Sequence, residues 1–181
     1  MIKGNNVYLS ALEKQDLPLL MQWRNKPEFR MHFREYRELN SDMQMNWYNS
    51  RVMSDPGTIM FAIHRLKDNQ IIGCCGICYI NWINRCGDIS LYIGQTYLDE
   101  FAEEALKMLL NYAFNDIGLH KLWAEIYELD KMRKDLFSKL QFNLDGVQRD
   151  HYFWNGTWHD SSLYSILEHE FRDNKNLLFN V

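Results

Sequence analysis

The spacing of hydrophobic residues along the chain switches between the two-residue repeat of strands and the three-to-four-residue repeat of helices. Residues 7–10 alternate as a short strand, and residues 16–25 and 42–53 have helical spacing. Three strand-like stretches follow, joined by short polar links, at 60–64, 71–80 and 88–93. Because these links are short, we expect the three strands to form an antiparallel meander.

The second half of the chain alternates the two patterns again. Ala102 opens a stretch of helical spacing, and Gly118 is placed to cap its C-terminal end. The remaining elements are, in order, a strand at 122–127, a helix at 131–140 and strands at 142–147 and 158–166. Asn155-Gly156, between the last two strands, is typical of a hairpin turn. A meander combined with one crossover helix predicts an α+β, or mixed α/β, fold.

No repeat, low-complexity tract or linker divides the chain, so we predict a single domain over residues 1–181. No apolar run approaches the roughly 20 residues of a membrane helix, and the first residues lack the apolar core of a signal peptide. The formal net charge of −4 argues against a nucleic-acid binder, which is usually basic. We therefore expect a cytoplasmic, soluble protein with no membrane or nucleic-acid partner.

Cysteine spacing gives little support to a metal site. Cys75 and Cys78 are separated as in many zinc ligand pairs, but the sequence has no second such pair and no two histidines at finger spacing. The segment also has the pattern of a strand. We expect reduced cysteines that pack in the interior, and no bound metal.

Six short motifs fall on these elements in a fixed order. They are Trp23-Arg24-Asn25, Ile80-Asn81-Trp82-Ile83-Asn84-Arg85, Glu103-Glu104-Ala105-Leu106, Tyr112-Ala113-Phe114, Leu119-His120-Lys121-Leu122 and the segment 152–166. This order resembles the GNAT acyltransferase superfamily over nearly the whole chain, most of all the branch of ribosomal-protein, spermidine and nucleotide-amino-sugar N-acetyltransferases. The resemblance implies a central, mostly antiparallel sheet flanked by helices, with acetyl-CoA as cosubstrate.

In that superfamily acetyl-CoA lies against the strand that ends here at Ile93. The resemblance assigns the backbone of Leu91, Tyr92 and Ile93 to the pantetheine, and the loop before the next helix to the pyrophosphate. The loop motif falls on Tyr97, Leu98, Asp99, Glu100, Phe101 and Ala102, of which only Ala102 fits the family pattern. Two further positions near the cofactor hold Asp130, where relatives often have asparagine, and Phe137, where they often have the tyrosine that protonates the thiolate.

The acidic loop leaves two interpretations open. The segment 96–99 fits a capping box, which would let the helix begin early and cap itself without any phosphate. Alternatively, backbone amides still bind the pyrophosphate while the carboxylates of Asp99 and Glu100 turn to solvent. We adopt the second interpretation, since such sites use mainly main-chain donors.

Acetylation of an amine needs a group that removes a proton from the amine and one that gives a proton to the thiolate. Asp88 lies on the strand leading to the cofactor, with Tyr92 on the same face by alternation, and Glu125 lies on the neighbouring strand. Asp88 and Glu125 are therefore candidate catalytic bases, although a carboxylate in such a position is more often a hydrogen-bonded or surface group. With Phe137 in place of tyrosine, the proton would come from Tyr92, Tyr127 or a water molecule.

Arginines gather in the polar stretch 23–37 of an acidic protein. Arg30, Arg34 and Arg37 can form forked pairs with phosphate or carboxylate groups. They favour an acceptor that carries both an amine and an anion, such as a nucleotide-linked amino sugar, over a polyamine. The alternative is a solvated loop in which nearby glutamates balance the arginines.

Together these features predict an acetyl-CoA-dependent N-acetyltransferase that acts on a primary amine of a small molecule, as a monomer or homodimer. The altered loop and Phe137 keep a second hypothesis open, in which the chain is a catalytically lapsed GNAT-fold binding or regulatory module. A GNAT enzyme with a different acyl donor is a third.

Overall fold

The predicted alternation of helices and strands is present in the computed structural model, which describes residues 1–94 and 98–174. The chain forms two compact units. Unit 1 holds Met1–Tyr79 and Ser90–Leu106, and unit 2 holds Ile80–Ile89 and the chain from Lys107 on. The assignment of residues 1–181 to a single domain stays a prediction.

Unit 1 is built on antiparallel strands and short helices. Its strands are β1 Ile2–Lys3, β2 Val7–Ala11, β3 Ile59–Arg65, β4 Ile71–Asn81 and β5 Cys86–Ile93, of which β4 and β5 run on into unit 2. Its helices are α1 Leu17–Asn25, α2 Pro27–Arg30 and α3 Ser41–Trp47, the last continued by a π-helical turn at Tyr48–Val52. β1 to β4 each pair antiparallel with the next, and β5 lies beside β4.

Unit 2 contains the one parallel ladder among the described strand pairs. Its elements are α4 Leu98–Asn111, which begins in unit 1, β6 Lys121–Tyr127, α5 Lys131–Lys139, β7 Asn143–Trp154, β8 Thr157–Leu167 and α6 Glu168–Asp173. The strand order is β5-β6-β8-β7; β5 and β6 are parallel, whereas β8 is antiparallel to both of its neighbours. The predicted α+β fold with a mostly antiparallel sheet is confirmed.

Burial along the strands explains why their sequences differ. In β6 the buried residues Leu122, Ala124 and Ile126 alternate with half-buried ones, as in a strand with two unlike faces. β4 instead buries every residue from Ile72 to Ile77, so it has a nearly continuous apolar sequence. All four cysteines are free, and the two that are fully buried lie in this run.

The core of unit 1 lies between its helices and strands. It contains Leu12, Leu17, Leu20, Trp23, Tyr48, Met60, Ala62, Cys74 and Tyr92. In unit 2 the rings of Phe114 and Phe171 pack with centroids 5.0 Å apart, which anchors α6.

Two turns confirm the predictions made from glycine. Asn155 and Gly156 have φ values of 49° and 82°, and Trp154 pairs with Thr157 across them. Two successive positive φ angles match a two-residue type I′ hairpin turn. Gly118 likewise has a φ of 67°, just after the π-helical turn Tyr112–Asp116 that continues α4.

Two boundaries differ clearly from the sequence prediction, and three short elements were not predicted. β7 continues to Trp154, whereas the prediction ended it at 147. Its pairing shifts between Leu144 and Gly146 and again between Gln148 and Tyr152. Such shifts break the alternation that identifies a strand. α4 begins at Leu98, before its periodic apolar stretch, and the short elements β1, α2 and α6 have too few residues to show a period.

Packing at the end of β5 can be tested at Gly94. A Cβ at this position would overlap the ring of Trp23. We expect Gly94→Ala to lower the free energy of unfolding by roughly 1–3 kcal/mol, the usual cost of overpacking. Urea unfolding measures the change. Gly146→Ala is the control, because a Cβ there meets no atom within 4 Å; equal losses in the two variants would contradict the prediction.

Candidate active site

Asp88 and Glu125, the two predicted bases, lie on the same face of the unit 2 sheet. The parallel ladder places Asp88 beside Trp123, and residues paired in this way point to the same side. Glu125 stands two residues beyond Trp123, so alternation returns it to that side. Asp88 is buried, and the Glu125 side chain keeps 9% of its surface exposed. Two carboxylates with little access to water therefore share one face.

His151 of β7 is a partner of Glu125 that the sequence prediction missed. Its Nε2 atom lies 3.3 Å from Oε1 of Glu125, and its own side chain is 48% exposed. No local pattern links the two residues, because they meet only through the pairing of β6 with β8 and of β8 with β7. The one available signal is the break in alternation around His151, which is typical of a bulge.

Tyr92 belongs to unit 1 and is buried in its core. The ring of Phe33 meets the Tyr92 ring edge-on, with centroids 5.4 Å apart and planes at 87°. Burial, together with the nearby Cys74, raises the pKa of Tyr92 well above its usual value, against the opposing charge of Arg24. The phenol therefore stays protonated at neutral pH, and it is also a weaker acid than an exposed tyrosine. Its catalytic role stays a prediction.

The predicted pantetheine strand and pyrophosphate loop also belong to unit 1. Ile93 is fully buried, and the Gly94 amide that follows donates to the Ile72 carbonyl at 2.7 Å. Leu91 is half-buried. These residues form a regular strand end that leads toward α4, as the resemblance implies.

The start of α4 fits a phosphate-bearing cosubstrate through its backbone. Leu98, Asp99 and Glu100 form the first turn, followed by the half-buried Phe101 and the buried Ala102. Amides of a first helical turn have no acceptor within the helix, so they can serve a ligand or a cap. Tyr97 lies outside the described residues. Both interpretations of this loop therefore stay open.

Asp130 is bound to its own helix. It is the N-cap of α5, where Oδ1 accepts a hydrogen bond from the Arg133 amide at 3.1 Å, and Oδ2 lies 3.1 Å from the guanidinium of the same residue. The carboxylate stands where relatives often have asparagine, and Arg133 offsets its charge. A contact between Asp130 and the cofactor stays a prediction.

Phe137 is a core residue of α5. It is 2% exposed, and its ring packs against Phe142 with centroids 4.5 Å apart. The position offers no hydroxyl for a leaving thiolate. Its predicted place beside the cofactor stays a prediction, and a proton donor has to be sought at Tyr92, Tyr127 or water.

All three predicted acceptor arginines have interactions within the protein. Arg30 donates to the Tyr36 carbonyl at 2.6 Å, and Arg37 makes two hydrogen bonds of 2.8 Å to the carboxylate of Glu35. The Arg37 hydrogen bond outweighs the effect of burial and lowers the pKa of Glu35 to about 2. Arg34 is exposed. The loop therefore resembles the solvated, charge-balanced alternative more than a preformed anion site.

Residues 1–94 and 98–174 contain neither a membrane-spanning helix nor a cluster of metal ligands. No helix there has both the length and the apolar character needed to cross a membrane. No group of three or more histidine, cysteine, aspartate or glutamate side chains is arranged to hold a metal ion in the same residues.

The comparison of the sequence with known families identifies the class to which this fold belongs. The family described as "Acetyltransferase (GNAT) domain" matches residues 6–143. The chain therefore belongs to the GNAT acetyltransferase family. The predicted class of enzyme, with acetyl-CoA as its acyl donor, is confirmed at the level of the family.

Individual relatives are distant but similar over most of their length. The spermidine N(1)-acetyltransferase of Escherichia coli (strain K12) is 23% identical over 173 residues, covering 94% of this chain and 91% of its own. An uncharacterized N-acetyltransferase, p20, of Bacillus licheniformis is 24% identical over 166 residues, covering 90% of this chain and 93% of its own.

Solved structures share the fold. The spermidine N-acetyltransferase from Vibrio cholerae, in complex with CoA and spermine, superposes with a TM-score of 0.86 at 22% sequence identity. The match covers 93% of this chain and 99% of that chain. The predicted GNAT-like fold is confirmed.

The contribution of the Asp130 N-cap to stability can be measured by removing its side chain. Asp130→Ala should lower the free energy of unfolding by about 1 kcal/mol, because α5 loses its N-cap acceptor. Asp130→Asn retains an acceptor oxygen and should recover most of that loss. Asp135→Ala, on the exposed side of the same helix, is the matched control. Urea unfolding of the three variants decides: a loss no larger for Asp130→Ala than for Asp135→Ala would contradict the assignment.

Proposed function

We propose that the protein transfers the acetyl group of acetyl-CoA to a primary amine of a small molecule. The observation that carries this proposal is the common face of Asp88 and Glu125 in a chain of the GNAT acetyltransferase family. An alkyl amine is largely protonated near neutral pH and must lose a proton before its lone pair can attack a thioester. A carboxylate shielded from water is suited to receive that proton.

Glu125 is the base that we favour, with Asp88 as the alternative. The Glu125 side chain combines low exposure with a titratable neighbour, His151, at 3.3 Å. Asp88 is buried on the strand that runs toward the predicted pantetheine residues. Either carboxylate would take the proton through direct contact or through one water molecule.

Tyr92 is the donor that we assign to the leaving thiolate. Its phenol is kept protonated by burial, and it lies on the strand assigned to the cofactor. Phe137 cannot donate a proton. Tyr127, whose ring stacks on Tyr152 at 4.0 Å, or a water molecule is the alternative donor.

The cofactor residues keep the roles that the family implies. Acetyl-CoA supplies an activated thioester to the reaction. The main chain of Leu91, Tyr92 and Ile93 would hold the pantetheine, and the first-turn amides of α4 would hold the pyrophosphate beside the small Ala102. Asp130 and Phe137, at the capped start and on the buried side of α5, complete the assigned cofactor set.

The acceptor class is the finer part of the proposal. An anionic acceptor, such as a nucleotide-linked amino sugar, would have to draw Arg30, Arg34 and Arg37 from their present partners. A polyamine is the second candidate, and two observations favour it. The carboxylates of Asp88 and Glu125 suit a cation, and relatives of this chain are named spermidine acetyltransferases.

A lapsed enzyme remains the alternative to an active one. It is motivated by the acidic start of α4 and by the buried phenylalanine at 137. Such a module would bind acetyl-CoA or an amine without turnover. A cytoplasmic location and a monomeric or homodimeric state also stay predictions from the sequence.

Release of free thiol from acetyl-CoA in the presence of a panel of primary amines tests the activity. We expect turnover with at least one amine, and a fall in kcat of roughly 10²-fold or more for Glu125→Gln, the usual range for loss of a general base. Glu128→Gln is the control, because that carboxylate is 55% exposed. Saturable acetyl-CoA binding with no thiol release from any amine would establish the lapsed alternative.

Loss of the arginine charges distinguishes an anionic acceptor from a polyamine. If the acceptor carries an anion, Arg34→Ala and Arg37→Ala should raise the acceptor KM severalfold at unchanged acetyl-CoA affinity, and added salt should raise it further. If the acceptor is a polyamine, the same variants should leave KM unchanged or lower it. Steady-state kinetics with an amino-sugar nucleotide and with spermidine measures both. If neither variant changes the KM of an anionic substrate, these arginines do not bind the acceptor.

A further inference from the structure

A bulge in β7 directs His151 toward β6. Three residues of β7, 149–151, stand opposite Asp160 alone. Asp150 has a φ of 49°, and its amide donates to Oδ1 of Asp160 at 2.9 Å, so the bulge is held by a hydrogen bond of its own. Bulges commonly redirect one side chain out of the alternation of a strand. Here the redirected side chain is an imidazole.

A ring stack fixes the strands beside this imidazole. Tyr152, next to His151, stacks on Tyr127, two residues from Glu125, with centroids 4.0 Å apart and planes only 4° from parallel. Burial, with Tyr127 nearby, raises the pKa of Tyr152 to about 12. The phenol of Tyr152 is therefore neutral near pH 7 and contributes packing rather than charge. The spacing between His151 and Glu125 thus rests on rigid neighbours.

The two members of the pair differ in their access to water. Glu125 is 9% exposed and His151 is 48% exposed, while Oε1 and Nε2 are 3.3 Å apart. A proton on the carboxylate has little direct contact with solvent, whereas a proton on the imidazole has ample contact. Imidazole is also the side chain that most readily gains and loses a proton near neutral pH.

We propose that His151 relays to bulk water the proton that Glu125 takes from the acceptor amine. This inference rests on the proposed function, because it assumes that Glu125 is the base. His151 acts through Glu125 and touches no reacting atom, so it is a positioning and relay residue.

Proton balance requires such an exit. An ammonium acceptor and acetyl-CoA give an amide, a free thiol and one released proton. Glu125 takes one proton from the ammonium, and the neutral amine forms the C–N bond while the C–S bond breaks. The thiolate takes a proton from its assigned donor, Tyr92, and the second proton that the attacking nitrogen loses restores the phenol. Oε1 of Glu125 and Nε2 of His151 are 3.3 Å apart but are not aligned as a hydrogen bond, so the imidazole first turns into line and then takes the proton of Glu125. The imidazolium releases a proton to water, and the carboxylate is restored for the next cycle.

The kinetic test compares two changes at this position. His151→Ala and His151→Gln should each lower kcat about tenfold or more, within the range for assisted proton transfer, with the KM for acceptor and for acetyl-CoA changed less than about twofold. Added imidazole should restore kcat in His151→Ala, where it can occupy the vacated space. It should not restore kcat in His151→Gln, which still carries a side chain there.

His159→Gln is the matched control. His159 Nδ1 also lies near a carboxylate, Glu128 Oε2 at 3.5 Å, but there the carboxylate is 55% exposed and the histidine 19%. That carboxylate needs no relay to reach water, so His159→Gln should leave kcat within about twofold of wild type.

A second readout needs no turnover. The ¹⁵N spectrum of the His151 ring reports which nitrogen carries the proton. Because Nε2 must be free to receive the proton from Glu125, we expect the ring proton on Nδ1 in wild type, and a redistribution between Nε2 and Nδ1 in Glu125→Gln. An identical ring spectrum in the two proteins would show that Glu125 does not affect the protonation of His151, and would contradict the relay.

The outcomes separate the two levels of inference. Turnover in wild type with unchanged kcat in both His151 variants would overturn the relay and leave the acetyltransferase intact. No turnover with any amine would overturn the proposed function, and the relay with it. A loss of kcat in both variants, rescue by imidazole in His151→Ala alone and a changed ring spectrum in Glu125→Gln would support the relay.

Discussion

The parallel ladder between β5 and β6 is the constraint on which the candidate active site depends. It is short, pairing Cys86–Asp88 with Lys121–Trp123, yet it decides which side chains share a face. A slip of one residue in β6 would turn Glu125 away from the side of Asp88. The same slip would expose Leu122, Ala124 and Ile126, which are buried, and push charged and aromatic residues into the interior. Loss of that aliphatic burial alone would cost several kcal/mol, at about 25 cal/mol per Å² of apolar surface. The hydrophobic side of β6 therefore fixes the position of the polar side.

Ion pairs in the described chain fall into two kinds, and the distinction bears on function. Some join near neighbours in sequence: Asp130 with Arg133, Glu35 with Arg37, and Arg65 with Asp68. Each of these closes a helix start or a turn, so local structure accounts for it. Others join residues far apart in sequence, among them Lys121 with Asp145, His159 with Glu128, and His151 with Glu125 across a three-strand array. The contact between Glu125 and His151 differs from the other two because its carboxylate is only 9% exposed, against 38% for Asp145 and 55% for Glu128.

The sequence was sufficient for those features that are encoded in periodicity and turn chemistry. Alternation identified β6, an unbroken apolar run identified β4, and Asn155-Gly156 identified the hairpin, because each has a local physical cause. Asp88 and Glu125 could be named as candidates for the same reason, since alternation predicts faces. His151 could not be found, because its direction depends on a bulge whose geometry is set by a hydrogen bond to Asp160 on another strand. The internal partners of Arg30 and Arg37 were equally hidden: a run of arginines has the same sequence whether its charges face a ligand or the protein's own carbonyls and carboxylates.

Burial of a base brings a benefit and a difficulty together. A carboxylate withheld from bulk water can meet an ammonium with little competing solvent around it. The same isolation slows loss of the proton that it takes up, and a base that stays protonated cannot act twice. An exposed base such as Glu128 has neither the benefit nor the difficulty, and its histidine neighbour is the more buried member of the pair. At Glu125 the exposures are reversed, with the imidazole on the side of the solvent. This orientation allows the carboxylate to remain desolvated while its proton still has a way out, which is the combination that repeated acetyl transfer to an ammonium requires.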